Sequence, residues 1–581
     1  MTGVTFRERI PYFYEGIFQS PKTYGDPLRE VEVTVELVAP SGKKSVVPAF
    51  WDGGRIWRFR VDAEEPGVWR YALRTSDGTQ DAWHGGRSEF QVTPYAGPNP
   101  LYRHGPLGVS KDGTHLVHRD GTPFFWLADT AWNALLKAEP AAFEWYLSKR
   151  REQGFTAVQC VMTHWRGCPA DLEGEEAFEG EQQIRINPRF FRRIDGKVAA
   201  VARHGLVPAL VILWALTPTD PGVSLPEEDA ILLARYIVAR YGAYRPVWFL
   251  GGDGIYSSDI ERWRRIGRAV FGKGAREGLP VTLHPAANLW IADAVWDEPW
   301  FDFAGYQSSH GADYFKSFAW IYDGPPAKAW RRLPPKPVIN LEPCYEEHLQ
   351  VGSDRRFDAQ HVRIASYYSL LASPVAGVTY GHAAVWPWSE QAESPLNHLG
   401  AGITSLWHTA LDAPGAASMS CLKHIFEALP WWKLRPAPEL VIGRQASGAP
   451  AGGDPAEQRA ADAGEYAGVG AGGGAVDGGA EGDGRGKAAE DPGSAEVDPL
   501  GHIAAAMTTD QTLSVVYLPQ GGEVVLDTTA LEGASAVWVN PASGERLAGP
   551  KAIGGHQLYA APARSSGGGD WLLILDNRRQ E

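Results

Sequence analysis

The chain has 581 residues, 44% of them hydrophobic, and carries 55 Lys and Arg against 69 Asp and Glu, a formal net charge of -14. That length exceeds what one hydrophobic core serves, so several domains are expected. The acidic balance argues against a protein that grips a phosphate backbone, no apolar run approaches membrane-spanning length, and Cys160, Cys168, Cys344 and Cys421 have neither metal nor redox spacing.

The opening residues, Met1-Thr2-Gly3-Val4-Thr5-Phe6-Arg7-Glu8, contain no apolar h-region, so the chain is read as cytoplasmic unless an export signal precedes it. Residues 1–97 read as a β-sandwich. Val31-Glu32-Val33-Thr34-Val35-Glu36-Leu37 and Trp57-Arg58-Phe59-Arg60-Val61 alternate with period two, and Gly53-Gly54 and Glu65-Pro66-Gly67 are turn signals.

From 98 to 434 the pattern becomes apolar strand, polar loop, amphipathic helix, repeated. Strands are expected at 124–127, 157–161, 207–212, 247–250, 281–284, 303–306, 338–341 and 378–380, with helices at 141–153, 195–204, 227–241 and 260–271 among those between them. Eight such units predict an α/β fold, a (β/α)₈ TIM barrel. A doubly wound sheet is the rival, weakened because no Gly-rich dinucleotide fingerprint follows the first strand. Residues 435–581 read as a small β domain, built from segments such as Thr512-Leu513-Ser514-Val515-Val516-Tyr517 and Trp571-Leu572-Leu573-Ile574-Leu575. Its stretch from about 446 to 491, almost free of large apolar residues, is expected to be a disordered insertion.

Two strand ends carry acids. Val247-Trp248-Phe249-Leu250-Gly251-Gly252 leads into Asp253, and Val338-Ile339-Asn340-Leu341 leads into Glu342-Pro343. Strands four and seven lie across a barrel from one another, and two carboxylates flanking one opening are what glycosidic cleavage requires: an acid for the leaving oxygen, and a nucleophile or base for the anomeric carbon. Asp253 can act as the acid only if burial or its partner's charge raises its pKa. The bland alternative is that each acid pairs with an Arg or caps a helix. The 23 Trp, with 21 Tyr and 21 Phe, suit the apolar faces of sugars, or simply large cores.

The rim candidates come from the other strand ends. Asp129 and Trp132 follow strand one, His164 and Trp165 strand two, and Trp214 strand three. His284 and Asn288 follow strand five, and Tyr306, Gln307 and His310 strand six. Asn340 precedes Glu342 by two positions, and His382, Trp386, Trp388 and Glu390 follow strand eight. Four strand-end histidines could instead form a metal centre, but no HxH or HExxH pair tightens that case, so neither metal nor cofactor is assigned. Asp129 could equally cap a helix. Three functions stay open: a glycosidase, a non-catalytic carbohydrate-binding protein, and a metal-dependent hydrolase or isomerase.

Phe124-Phe125-Trp126-Leu127-Ala128-Asp129-Thr130-Ala131-Trp132, Trp248-Phe249-Leu250-Gly251-Gly252-Asp253 and Asn340-Leu341-Glu342-Pro343-Cys344-Tyr345-Glu346 resemble the motifs of the apiosidase-like glycoside hydrolases, a (β/α)₈ family. The resemblance implies Asp253 as acid/base, Glu342 as nucleophile, and Asp129 at the substrate-binding site. The paired strand-end acids and the aromatic rim are read as those of an exo-acting, retaining O-glycoside hydrolase, with an oligosaccharide or small glycoside of plant or bacterial origin as substrate. Apiose side chains of rhamnogalacturonan II are one such substrate. Phe50-Trp51-Asp52-Gly53-Gly54 resembles the β-sandwich that often precedes such barrels, and Trp538-Val539-Asn540-Pro541-Ala542-Ser543-Gly544 resembles a β domain labelled as collagen-binding. Oligomeric state is not legible.

Overall fold

The computed structural model describes residues 13–272, 278–443, 499–563 and 569–578. The expected disordered insertion at 446–491 lies outside the described residues.

Eight parallel strands form a nearly closed barrel: β1 Trp126–Thr130, β2 Ala157–Val161, β3 Val207–Trp214, β4 Val247–Gly252, β5 Val281–Thr282, β6 Ala304–Gln307, β7 Val338–Glu342 and β8 Gly377–Tyr380. Pairing runs β5-β4-β3-β2-β1-β8-β7-β6. Between β5 and β6 no ladder forms. There the Thr282 hydroxyl donates to Phe303 O at 2.7 Å, and the Asp302 amide donates to Val281 O at 2.9 Å, closing the ring by other means. The strands are buried on both faces, as a sheet enclosed by helices must be.

The helices follow in turn: α1 Pro140–Glu152, α2 Pro188–Arg203, α3 Glu227–Tyr241, α4 Ile260–Phe271, the single turn α5 Ala292–Val295, α6 Tyr314–Asp323, α7 Ala359–Leu371 and α8 Pro414–Glu427. α2 begins seven residues earlier than its apolar period suggests, because Asn187 caps it and Pro188 is pre-set for the first helical position. β1 ends three residues later than read. Its neighbours on both sides continue its ladder, since Asp129 pairs with Val158 on β2 and Tyr380 on β8.

The barrel's interior is polar beneath the site. The Trp126 indole donates to the Thr379 hydroxyl at 3.0 Å, and Gln159 donates to Leu341 O at 3.0 Å and to the Thr130 hydroxyl at 3.2 Å. These bonds pin the ends of β1, β2, β7 and β8 to one another.

Two antiparallel sheets precede the barrel as a sandwich, of three and four strands, followed by a three-stranded meander over Leu107–Val109, Leu116–His118 and Pro123–Phe124. A buried ionic network fastens the sandwich to α2 and α3. Arg60 pairs with Asp195 at 2.8 Å, and Arg240 pairs with Asp195 at 2.6 Å and with Asp52 at 3.0 Å. A small β domain follows, with sheets of six and three strands, held to α7 by Arg363 on Asp570 at 2.8 Å.

Candidate active site

β4 and β7 set the two acids. Gly252 ends β4 where a Cβ would lie 2.6 Å from the Trp214 ring and 2.7 Å from Val211, so only glycine lets β3 and β4 approach this closely. Asp253 then adopts φ +54°, a left-handed conformation that costs a non-glycine residue of order 1 kcal/mol and clusters at functional sites. Glu342 closes β7. Its amide donates to Asn340 Oδ1 at 3.2 Å, and the Asn340 carboxamide donates in turn to the Ser308 and Ser369 hydroxyls, each at 3.0 Å.

His284, after β5, lies between the acids. Its Nε2 is 3.3 Å from Glu342 Oε2 and its Nδ1 is 4.0 Å from Asp253 Oδ1. One ligating atom from each of the three residues falls within 4.8 Å of the others. The two imidazole nitrogens face different carboxylates. Asp253 Oδ1, Glu342 Oε2 and both His284 ring nitrogens are buried without a hydrogen-bond partner. Buried polar atoms without a partner are costly, and four of them converging on one opening mark where a polar ligand would be held.

On its other oxygen, Glu342 accepts a 2.8 Å hydrogen bond from His310 Nε2. The tautomer is fixed because His310 Nδ1 accepts the Tyr345 amide at 3.3 Å. Burial pushes Glu342 up, but the adjacent His284 and the hydrogen bond from His310 outweigh it and hold the carboxyl well below its usual range. Asp253 moves the other way, to about 7, through burial first and then the charge of Glu342, opposed by His284 and Arg166. Two neighbouring carboxyls thus sit in opposite protonation states near neutral pH, the condition for an acid and a nucleophile side by side.

An aromatic wall adjoins the pair. The Trp132 ring meets His284 edge-on at 5.4 Å and Trp214 at 5.4 Å, and Trp165 packs on Trp214 at 4.4 Å. Trp386 joins through His398, which contacts Trp386 at 4.9 Å and Trp165 at 5.4 Å. The Trp214 and Trp386 indole N–H groups are buried without acceptors. Gln307 is buried beside the end of β7 with its Oε1 unpaired, and Asn288 sits exposed on the rim, its amide donating to Gln307 O at 3.0 Å.

Several expected rim residues are elsewhere. Asp129 belongs to β1 rather than to the loop beyond it, and alternation turns it outward. It is fully buried against α1, paired with Arg150 at 2.7 Å and accepting from the Tyr146 hydroxyl at 2.7 Å. That corrects its expected place at the substrate. Asn340 is committed on both ends of its carboxamide to protein groups, so it positions Glu342 rather than a sugar. Tyr306 packs outward on Trp320 of α6 at 5.6 Å. Trp388 faces α1 and stacks on Trp407 at 4.1 Å, and the exposed Glu390 accepts from the Trp407 indole. His164 accepts the Ala177 amide and packs on Phe178, while His382 is buried, accepts the Ala384 amide and lies 3.6 Å from Glu347.

Four contributors were missed. Tyr345 packs against His310 at 4.4 Å, its phenol raised by burial and by the Glu342 charge. His348 stacks on the far face of the His310 region at 4.5 Å. Arg166 bears electrostatically on Asp253, and His398 bridges two tryptophans. Tyr345 and Arg166 lie inside segments already singled out, Glu342-Pro343-Cys344-Tyr345 and His164-Trp165-Arg166. Nothing in the local pattern marks His348 or His398.

The family model of the apiosidase-like catalytic domain matches residues 110–433, which include both acids. The chain belongs to the apiosidase-like family. It is a glycoside hydrolase. A domain of unknown function (DUF5060) matches residues 13–76, and a collagen-binding-like domain matches residues 494–576. Among solved structures, one described as a glycoside hydrolase is 20% identical with TM-score 0.66, covering 83% of this chain and 99% of that one. A family 5 glycoside hydrolase from Bacteroides vulgatus ATCC 8482 is 21% identical with TM-score 0.65, covering 83% of this chain and 95% of that one. At that identity both speak to the fold alone. No curated protein matches the chain by sequence.

Proposed function

We propose that this enzyme is a retaining, exo-acting glycosidase in which Glu342 is the nucleophile and Asp253 the acid/base. The observation that carries the proposal is the spacing of the pair. Their carboxylate oxygens come within 4.8 Å, on the side of the roughly 5–5.5 Å separation of retaining enzymes and not the roughly 6.5–9.5 Å that admits an inverting water. Glu342, ionised and aimed by His310, attacks the anomeric carbon. Asp253, protonated near neutral pH, gives its proton to the departing oxygen, and the sugar becomes esterified to Glu342. Asp253, now a carboxylate, then takes a proton from water, which releases the sugar with its original anomeric configuration.

His284 stabilises both charge states from between the acids, and the Trp132, Trp214 and Trp165 wall borders the pair as an apolar flank. Substrates are small glycosides or chain ends of plant or bacterial origin. An aryl glycoside panel, with the first-formed product anomer read by NMR, tests the proposal. Retention of configuration supports it, and an inverted first product rejects the nucleophilic role of Glu342.

A further inference from the structure

Among the described residues, one group of three side chains able to ligate a metal ion converges, and it is Asp253, His284 and Glu342. Both nitrogens of His284 face carboxylate oxygens, Nε2 toward Glu342 at 3.3 Å and Nδ1 toward Asp253 at 4.0 Å. A neutral imidazole carries a single N–H, so the other nitrogen points a lone pair at a second acceptor. Neither nitrogen, nor the oxygen that faces it, has a hydrogen-bond partner, and all four atoms are buried. Acceptors buried in opposition are reconciled by a positive charge between them, either a proton or a metal ion.

The spacing fits a small ion. Zinc held at about 2.0–2.1 Å in a tetrahedral site sets neighbouring ligand atoms roughly 3.3–3.4 Å apart, which is the separation of Glu342 and His284. Asp253, within 4.8 Å of both, supplies a third ligand once its side chain rotates inward, and water takes the fourth position. The imidazole is held ready. The His284 amide donates to Gly251 O at 3.1 Å, the Tyr256 hydroxyl donates to His284 O at 2.9 Å, and Trp132 braces the ring edge-on at 5.4 Å. His284 and Glu342 are buried, while the Asp253 side chain, 17% exposed, leaves a way in. A nitrogen donor in the set favours zinc and its transition-metal neighbours over magnesium or calcium, which take oxygen ligands.

We propose that Asp253, His284 and Glu342 form an inhibitory site for zinc or a similar divalent transition-metal ion, which takes up the catalytic centre and excludes the substrate. The consequence for activity rests on the acid and nucleophile assignment above. An ion held there ties up the Glu342 carboxylate, and Asp253 must be deprotonated to ligate it, so no proton is left for the departing oxygen. The metal-free form is the active one, and zinc is a reversible brake on it.

The test titrates zinc into the full chain, freed of metal by a chelator that is then removed. The metal-free enzyme should keep its activity on aryl glycosides. Zinc at tens of micromolar should raise KM by about tenfold or more at unchanged kcat, reversibly on adding chelator. Magnesium should not. Isothermal titration should count one zinc more on the wild type than on Glu342→Gln or His284→Phe, and zinc should raise the melting temperature of the wild type alone. The melting transition of each variant without metal reports that it is folded. An equal zinc count in all three proteins, inhibition through kcat alone, or equal inhibition by magnesium overturns the cation site and leaves the glycosidase reading intact. Loss of activity on chelation, restored by zinc, overturns both the inhibition and the nucleophilic role of Glu342, because the ion would then be a cofactor. If no aryl glycoside is turned over, the glycosidase reading fails, and the zinc count still decides the site.

Discussion

His310 donates from Nε2 to Glu342 Oε1 at 2.8 Å, and the Tyr345 amide leaves that ring nitrogen no alternative role. The imidazole is thus oriented as a donor onto the carboxylate that must stay ionised. Glu342 is held below its usual range by this bond and by His284, so His310→Phe should let its pKa rise. Because the nucleophile works only when deprotonated, the acidic limb of the kcat/KM profile should move toward neutral pH, with kcat down by about 10- to 100-fold. A loss of kcat with an unmoved acidic limb would mean that His310 only packs.

Asp253 titrates near 7, and the proposed acid works only when protonated. Activity should therefore fall as pH rises through about 7, and Glu342→Gln, which removes the neighbouring charge, should bring the Asp253 pKa down. Carboxyl-labelled NMR titration of Asp253 in both proteins measures this.

Stability changes in the same direction with pH. A carboxyl whose folded pKa is raised binds more protons folded than unfolded between about 4 and about 7, so its contribution is fully present below that window and is lost as pH rises through it. Asp253→Asn should therefore raise the melting temperature at pH 8, by on the order of a few degrees at most for a protein this large, and change it less at pH 4. A lower melting temperature at pH 8 would show that the folded state favours the ionised form.

Asp129 and Arg150 are both fully buried and paired at 2.7 Å. Arg150→Met should destabilise the barrel by about 3–5 kcal/mol, because the remaining carboxylate is buried and uncompensated. Denaturant unfolding reads this directly. KM of the folded fraction should stay at the wild-type value, and a large rise in KM in Asp129→Asn without loss of stability would restore Asp129 to the substrate site.

The same pair marks where reading a sequence stops. Barrel periodicity and the two acid-tipped strands were legible because strand ends follow from apolar runs, and Asp253 and Glu342 need only lie at ends. Asp129 was misplaced because three more residues of β1 turn a loop side chain into an outward-facing strand residue, and alternation converts a small boundary error into the opposite face. Asn340 shares a parity with Glu342, but helix α7 supplies Ser369 to receive it, a partner 29 residues away. His310 and Glu342 are 32 residues apart, and the parallel pairing of β6 with β7 makes them neighbours. Trp388 and Glu390 follow β8 as closely as Trp386 does, yet a turn at Trp388, with φ +56°, sends them toward α1.

The most direct measurement is the mass of Asp253→Asn after incubation with 2,4-dinitrophenyl glycosides, whose leaving group needs no acid. With deglycosylation slowed by about 10²- to 10⁴-fold, the protein should gain one glycosyl unit, mapped by peptide digestion to Glu342, and Asp253→Asn with Glu342→Gln should gain none. Dinitrophenol release without an adduct, or an adduct on any other residue, would contradict Glu342 as the nucleophile.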